Sequence, residues 1–227
     1  AAGLTELHKL MRLTPTHIES ARRHLRAADP VMKAIIDAVG SYTLRFERER
    51  FAMLVRSIVS QQISTSAARA IRERLQELAG VEGQTAANMV RFSLDELRSV
   101  GLSPQKAAYV ADLSAKVNDG TVDLRRIGRL SDEQVVEQLV QVKGIGRWTA
   151  QMFLIFSLGR PDVFPHDDLG VRTAIRDRYG LADLPDKATS HAIAAPWRPY
   201  ASVASWYCWR SLDLARNTKT VAKGYPT

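Results

Sequence analysis

The segment that decides the fold lies at residues 139–170 and reads LVQVKGIGRWTAQMFLIFSLGRPDVFPHDDLG. Apolar residues at helical spacing precede Gly144 and follow Gly146, which places the two glycines in a turn between two helices. Glycine adopts left-handed backbone angles and lets another backbone approach closely. The amides after the turn point outward from the start of the second helix, which suits a phosphate. The segment also supplies an aromatic side chain, Trp148, and a carboxylate at the start of a third helix, Asp168.

Polar residues mark the limits of this helical hairpin. Ser131 is suited to cap its first helix, and Asp132 and Glu133 follow in the first turn, where the helix dipole favours acids. Lys143 and Arg147 flank the glycine turn with positive charge. An ordinary helical turn is the alternative interpretation, because two glycines alone are weak evidence for a phosphate site.

The composition narrows the class of protein. The chain has 227 residues, of which 45% are hydrophobic, so it can bury a sizeable core, and its net charge of +8 is compatible with nucleic-acid binding. Its single cysteine, Cys208, excludes a disulfide framework, a cysteine-rich zinc site and a four-cysteine iron–sulfur cluster. Cys208 is therefore expected to be a buried small apolar residue in a reducing compartment. No apolar run approaches the ~20 residues that a membrane span needs.

Helical periodicity dominates the rest of the chain and predicts an all-α protein. Only 43–46 and 121–124 could be extended. We find no repeat, no low-complexity tract and no linker between independent domains. Helices are expected from Thr14 or Thr16 to Ala27, from Pro30 to Gly40, across the apolar stripe Phe51–Val59, from Ile63 to Leu78, and over 84–91, 93–99, 103–117, 131–140, 147–158, 168–178 and 188–215, the last broken near Pro196 and Pro199.

The full hairpin pattern, apolar-x-x-V-x-G-I-G-x-x-T-A, resembles the helix-hairpin-helix, which grips the DNA backbone without sequence specificity. With Asp168 downstream, it resembles the helix-hairpin-helix DNA glycosylase superfamily. The resemblance implies that residues 1–227 form one glycosylase unit of two helical subdomains with the active site in the cleft between them. Residues 51–165 would hold the hairpin, and residues 1–50 would join residues 166–227. The chain is too short for the N-terminal β-domain of some members.

Superfamily members that also cut the strand carry a lysine two residues after the second hairpin glycine, whereas this chain has Trp148. A tryptophan there resembles the 3-methyladenine DNA glycosylase II family. Further similarity lies in the catalytic turn VFPHDD at 163–168, in PWRPYA at 196–201 followed by SWY at 205–207, and in the DNA-intercalating turn at 58–64. The resemblance implies a monomeric, monofunctional enzyme that flips alkylated purines such as 3-methyladenine and 7-methylguanine out of double-stranded DNA. It would hydrolyse the N-glycosidic bond and start base-excision repair.

The residues of this active site have distinct expected roles. Asp168 would stabilise the positive charge that develops on the sugar and orient the attacking water. Trp148 and Met152 stand at i and i+4 on one helical face and would line the base pocket, with Trp206 as the facing wall. Asp167 is expected to cap the turn. The alternatives are core packing for each tryptophan and a plain helix-start acid for Asp168.

The resemblance also implies how DNA is held. In two places this chain departs from the common family residues: Gln62 stands where leucine is frequent and Met152 where an aromatic residue is frequent. No cofactor is expected for catalysis, but a monovalent cation, Na⁺ or K⁺, would be held by the main-chain carbonyls of Val140, Val142 and Ile145. Side-chain ligands for a metal are not expected, because no His, Asp and Glu set has ligand spacing. DNA contacts are predicted at Gln61, Gln62, Lys143, Gly144, Ile145, Gly146, Arg147 and Thr149.

The sequence also allows three other interpretations. The chain could be a DNA-binding module that has lost catalysis, or a bifunctional glycosylase and lyase that uses another amine such as Lys143. A helical scaffold unrelated to DNA would leave the spacing between hairpin and aspartate unexplained. We expect the protein to work where the chromosome is: in the cytoplasmic nucleoid of a prokaryote or in the nucleus of a eukaryote, without membrane association.

Overall fold

The computed structural model describes residues 12–217, and that part of the chain contains helices but no β-strand. The predicted all-α class is therefore confirmed, and segments 43–46 and 121–124 are irregular. Single turns of 3₁₀-helix occupy Gly80–Glu82, Ile127–Arg129 and Ala195–Trp197. The α-helices are α1 (Pro15–Ala28), α2 (Pro30–Val39), α3 (Arg50–Ser60), α4 (Thr65–Ala79), α5 (Ala86–Met89), α6 (Leu94–Ser99), α7 (Pro104–Asn118), α8 (Asp132–Leu139), α9 (Arg147–Phe153), α10 (Leu169–Tyr179), α11 (Lys187–Ala194) and α12 (Ala201–Asn217).

Side-chain caps fix where most of these helices begin. Thr14, rather than Thr16, caps α1 by accepting from the amide of His17. Helix α4 begins at Thr65 and not at the predicted Ile63, because the Ser64 hydroxyl accepts the Ala67 amide at 3.2 Å. An N-terminal hydroxyl or carboxylate satisfies amides that have no partner inside the helix, so the sequence encodes these boundaries locally.

Two predicted long helices are interrupted in the structure. The helix expected at 147–158 is α-helical only to Phe153 and continues as a π-helical turn over Leu154–Leu158. The helix expected at 188–215 is divided into α11, a 3₁₀ turn and α12, as its prolines predicted. Proline has no amide hydrogen and its ring collides with the preceding helical turn. Within residues 12–217, no helix combines the length and the apolar character that crossing a membrane requires.

The described residues form two compact units. Unit 1 contains residues 12–46 and 154–217, and unit 2 contains Glu47–Phe153. These boundaries differ from the predicted ones at 50/51 and 165/166. Backbone hydrogen bonds account for the second boundary: the Leu13 amide donates to the Gly159 carbonyl at 2.9 Å, and the Ser202 amide donates to the Pro161 carbonyl at 3.1 Å. Residues shortly after Phe153 are thus bonded both to the N-terminal segment and to the C-terminal helices of unit 1.

Unit 1 is built around α12, which packs against α1, α2 and α10. The Tyr207 and Cys208 side chains of α12 are fully buried, and burial raises the pKa of the Cys208 thiol. Asp29 ties the unit together, because one carboxylate oxygen caps α2 and the other accepts from Trp197 Nε1 at 3.0 Å and from the Tyr179 hydroxyl. A buried carboxylate with this many donors keeps its polar atoms satisfied.

Unit 2 is built around α7, which packs against α3, α5 and α6. The apolar stripe predicted on α3 is buried at Phe51, Leu54, Val55, Ile58 and Val59. Helix α3 also packs against α4 and α9, and α8 packs against α9 to form the helical hairpin. The hairpin therefore rests on the same core that fixes α3 and its C-terminal turn.

Candidate functional site

The turn between α8 and α9 is closed by successive backbone hydrogen bonds. The Val142 amide donates to the Leu139 carbonyl, and the Ile145 amide donates to the Val142 carbonyl, each at 3.1 Å. Gly144 has a φ of 81°, and a Cβ at this residue would overlap the Tyr109 ring. Glycine is therefore required at position 144 for two reasons: the positive φ of the backbone, and the Tyr109 ring that leaves no room for a Cβ. The space beside Gly146 is open.

Asp112 on α7 holds the first half of this turn. Its Oδ2 accepts the Lys143 amide at 2.8 Å and the Lys116 ammonium at 2.8 Å, and Lys116 also donates to the Gln141 carbonyl at 2.5 Å. Burial by itself would raise the pKa of Asp112, but the hydrogen bonds from Lys116 and from the Lys143 amide outweigh it and lower the pKa. The amide of Lys143 is thus used inside the protein, whereas its side chain is exposed.

Two side chains hold the turn after α3: Lys106 bonds it to α7, and Gln61 bonds it to the hairpin. The Lys106 ammonium donates to the carbonyls of Val59 at 2.7 Å and Gln61 at 2.5 Å, and burial lowers its pKa. Gln61 Nε2 donates to the Gly144 carbonyl at 2.9 Å. The side-chain amide of Gln61, which was predicted to contact DNA, is therefore engaged in a hydrogen bond inside the protein. Sequence reasoning missed Lys106, because nothing in the local pattern indicates a partner so distant in the chain.

Gln62 follows this fastened residue with a φ of 54°, the one positive φ outside glycine among residues 12–217. A side chain in the left-handed region costs about 1–2 kcal/mol, so the surrounding contacts must enforce it. The Gln62 side chain is exposed at the predicted intercalating position. Backbone strain of this kind is concentrated at functional sites.

Arg147 differs from its predicted role as a flanking charge. Its guanidinium donates to both carboxylate oxygens of Glu133, at 2.9 and 2.7 Å. Hydrogen bonding to Glu133 raises the pKa of Arg147, and the same contact lowers the pKa of Glu133. The pair is exposed, so it is individually weak, yet it offsets the positive charge of Arg147 beside the turn. Lys143 remains as the exposed positive side chain of the turn.

The residues of α9 differ in exposure. Trp148 is 42% exposed, whereas Thr149 and Met152 are 4% and 5% exposed. Ile145, just before the helix, is also buried at 4%. The Ile145 and Thr149 side chains therefore belong to the packed interior, and only their main-chain atoms are suited to contact DNA. The large exposed face of Trp148 is the kind of surface on which an aromatic base stacks.

Asp168 is the N-cap of α10, whereas the sequence predicts Asp167 as the capping residue. Its Oδ1 accepts the Val171 amide and Trp209 Nε1, both at 2.8 Å, and the residue is buried. The Trp209 ring is itself stacked on Phe156 with centroids 5.4 Å apart. Asp167 is instead exposed, and its Oδ2 lies 3.2 Å from Nε2 of the adjacent His166. The buried carboxylate therefore has a fixed orientation, as a catalytic carboxylate requires.

Trp206 on α12 belongs to an aromatic cluster. Its ring lies 4.5 Å from that of Tyr42 and 4.9 Å from that of Tyr207, centroid to centroid. The Arg210 guanidinium carbon lies 5.9 Å from the centre of the Trp206 ring, close enough for a cation–π contact. The cluster fixes the plane of the indole. No local sequence pattern indicates that Tyr42 belongs to this cluster.

The chain shows clear similarity to known proteins. The pattern of the family described as "HhH-GPD superfamily base excision DNA repair protein" matches residues 55–199. DNA-3-methyladenine glycosylase 1 of Schizosaccharomyces pombe is 33% identical over 212 residues, which cover 91% of this chain and 92% of that protein. The solved structure of an S. pombe 3-methyladenine DNA glycosylase in complex with abasic DNA has a TM-score of 0.75 and 32% identity, and covers 84% of this chain and 95% of that chain. A DNA-3-methyladenine glycosidase from Bacillus halodurans has a TM-score of 0.79 and 32% identity, with 86% and 91% coverage.

Proposed function

The chain belongs to the HhH-GPD superfamily of base excision DNA repair proteins, and from this membership we propose that it excises alkylated purines from double-stranded DNA. Its substrates include 3-methyladenine and 7-methylguanine, and its reaction is hydrolysis of the N-glycosidic bond, the first step of base-excision repair. The observation that carries this proposal is the buried carboxylate of Asp168, held by Val171 and Trp209 within the VFPHDD turn. The similarity to the S. pombe 3-methyladenine glycosylase and to the B. halodurans 3-methyladenine glycosidase over most of the chain supports the substrate class.

Asp168 supplies the electrostatic part of the reaction. As the bond between base and sugar lengthens, positive charge develops on the sugar, and a fixed carboxylate lowers the energy of that state. The same carboxylate orients the attacking water or accepts its proton. A cationic alkylpurine leaves as a neutral base, so the reaction needs no strong general acid. An unmodified purine leaves less readily, which favours damaged DNA.

Aromatic residues recognise the damaged base. The enzyme must flip the target base out of the duplex, which costs a few kcal/mol and is least expensive for a damaged base. We assign Trp148, Met152 and Trp206 to the binding of this base. A cationic base stacked on an indole gains about 0.5–2 kcal/mol. Gln62, exposed and held in the left-handed conformation, fills the gap that the flipped base leaves in the duplex.

The hairpin supplies the grip on the DNA backbone. Main-chain amides of Gly144 and of residues 146–149 bind a phosphate next to the lesion, whereas the Ile145 amide is already donated to the Val142 carbonyl, and the exposed Lys143 side chain adds positive charge. Carbonyl oxygens are the ligands that a monovalent cation prefers, and we assign Na⁺ or K⁺ to those of Val140, Val142 and Ile145. The Val142 carbonyl accepts the Ile145 amide, which leaves its second lone pair for such an ion. Among the described residues no group of His, Cys, Asp and Glu could hold a metal ion.

We further propose that the enzyme has no lyase step and acts as a monomer on chromosomal DNA. A lyase needs an amine that attacks the sugar and forms a Schiff base. Trp148 occupies the position at which strand-cutting members of the superfamily carry lysine. Borohydride should therefore trap no covalent adduct between protein and DNA. An adduct that disappears in Lys143→Gln would identify the bifunctional alternative.

The proposed function is tested by single-turnover release of free base from methylated duplex DNA, with undamaged duplex as the control. The parent protein should release 3-methyladenine and 7-methylguanine, and Asp168→Asn should lose most of this activity while still binding DNA. The alternative of a non-catalytic lesion-binding module predicts that neither protein releases any base, although both bind DNA with a steep salt dependence.

A further inference from the structure

Tyr42 lies in the segment between α2 and α3 and has a buried hydroxyl that no residue of the described chain pairs with. Its ring packs against Trp206 at 4.5 Å with an interplanar angle of 52°, and against Tyr207 at 6.2 Å. The polar end of Tyr42 is thus buried beside the tryptophan assigned to base binding.

A hydroxyl in this state is unusual. Buried side-chain polar atoms nearly always have a hydrogen-bond partner, because an unsatisfied one loses its hydration without compensation. The neighbouring Tyr207 follows the rule, since its hydroxyl donates to the Gly40 carbonyl at 3.0 Å. Burial raises the pKa of Tyr42, so its hydroxyl keeps the proton and remains a hydrogen-bond donor.

We propose that Tyr42 determines specificity by donating a hydrogen bond from its hydroxyl to a nitrogen or oxygen acceptor on the edge of the purine that stacks on Trp206. This inference rests on the proposed function. A purine stacked on the indole carries ring nitrogens, and in guanine a carbonyl oxygen, at its edge. Trp206 is 5% exposed, so stacking requires the base to displace part of the cluster around the indole, and the Tyr42 ring, at 52° to that indole, is its direct neighbour there. A site that pairs its own buried polar group with the substrate discriminates strongly against bases that lack the partner.

The test compares Tyr42→Phe with Tyr207→Phe, each of which removes one hydroxyl and keeps the ring. For each variant, urea unfolding gives the stability, and single-turnover release of 3-methyladenine and 7-methylguanine at saturating protein gives the rate. Tyr42→Phe should be at least as stable as the parent, since it removes an unpaired buried group, and should release at least one of the two bases about tenfold more slowly, as expected for one lost hydrogen bond. Tyr207→Phe should be less stable, because it leaves the Gly40 carbonyl without its donor, and should keep the parental rate.

Two results would overturn the inference. Parental rates for both bases in Tyr42→Phe would show that the hydroxyl does not contact the substrate, and would leave the proposed function intact. A clear loss of stability in Tyr42→Phe would show that the hydroxyl already has a partner in the folded protein. Failure of the parent protein to release any methylated base would instead contradict the proposed function itself.

Discussion

Asp168 has two separable roles, and replacing it with asparagine or with alanine should separate them. Its Oδ1 accepts the Val171 amide as the cap of α10 and accepts Trp209 Nε1 within the core, while the proposed chemistry depends on the negative charge. Asparagine keeps an acceptor oxygen and removes the charge, whereas alanine removes both. Both variants should lose base release, but only alanine should unfold markedly more easily.

The magnitude follows from the two hydrogen bonds. Loss of an N-cap costs about 0.5–2 kcal/mol, and a buried indole N–H left unpaired costs about 1–3 kcal/mol. Asp168→Ala should therefore lower the free energy of unfolding by about 1.5–5 kcal/mol. Asparagine is as good an N-cap as aspartate, so Asp168→Asn should remain within about 1 kcal/mol of the parent.

Urea unfolding followed by tryptophan fluorescence measures the stability, and single-turnover base release measures the chemistry. An Asp168→Ala variant as stable as the parent would refute the capping and core contacts described for Asp168. Base release by Asp168→Asn at the parental rate would refute its role in the reaction. Neither result could be explained by misfolding, because asparagine preserves the packing and alanine reports on the fold directly.

Three further perturbations concern the hairpin and its supports. Gly144→Ala should cost more than about 1–2 kcal/mol of stability, since it adds a steric overlap to the left-handed backbone penalty, while Gly146→Ala should unfold within about 1 kcal/mol of the parent; equal urea midpoints would contradict this difference. Lys106→Met should reduce base flipping, followed by 2-aminopurine fluorescence next to the lesion, because the turn after α3 loses two hydrogen bonds; Lys106→Arg should restore part of it, and parental flipping in the methionine variant would argue against this support. Glu133→Gln should release Arg147 to bind a phosphate. The plot of log K for DNA binding against log salt, measured by fluorescence anisotropy, should then become steeper by about 0.9. An unchanged slope would show that Arg147 does not reach DNA.

Local signals carried most of what the sequence predicted correctly. Hydroxyl and carboxylate caps such as Thr14, Asp29 and Ser131 act within a few residues of themselves, so a single sequence reveals them. The hairpin is equally local, since its two glycines and flanking apolar residues define the turn. Its family resemblance could be recognised from the same residues, together with the downstream Asp168.

Long-range partners could not be predicted in the same way. Lys106 binds carbonyls that lie more than forty residues earlier in the chain. Tyr42 lies in the first quarter of the chain and packs on Trp206, which lies in the last quarter. No periodicity encodes such pairs. The aspartate caps show the limit of local reasoning too, because Asp167 and Asp168 are both acceptable N-caps and only the contact of Asp168 with Trp209 distinguishes them.

The order in which the two units are connected bears on how the chain folds as it is made. Residues 12–46 leave the ribosome before unit 2, but the rest of their own unit begins only at Leu154. At about 5–20 residues per second, synthesis of Glu47–Phe153 takes on the order of 5–20 s. During that delay Leu25 and Ile36, which end up fully buried, have no completed core to enter, whereas unit 2 can form from contiguous chain. The helices of residues 12–46 therefore wait longest for their core, and a chaperone at the ribosome exit has the most time to bind them.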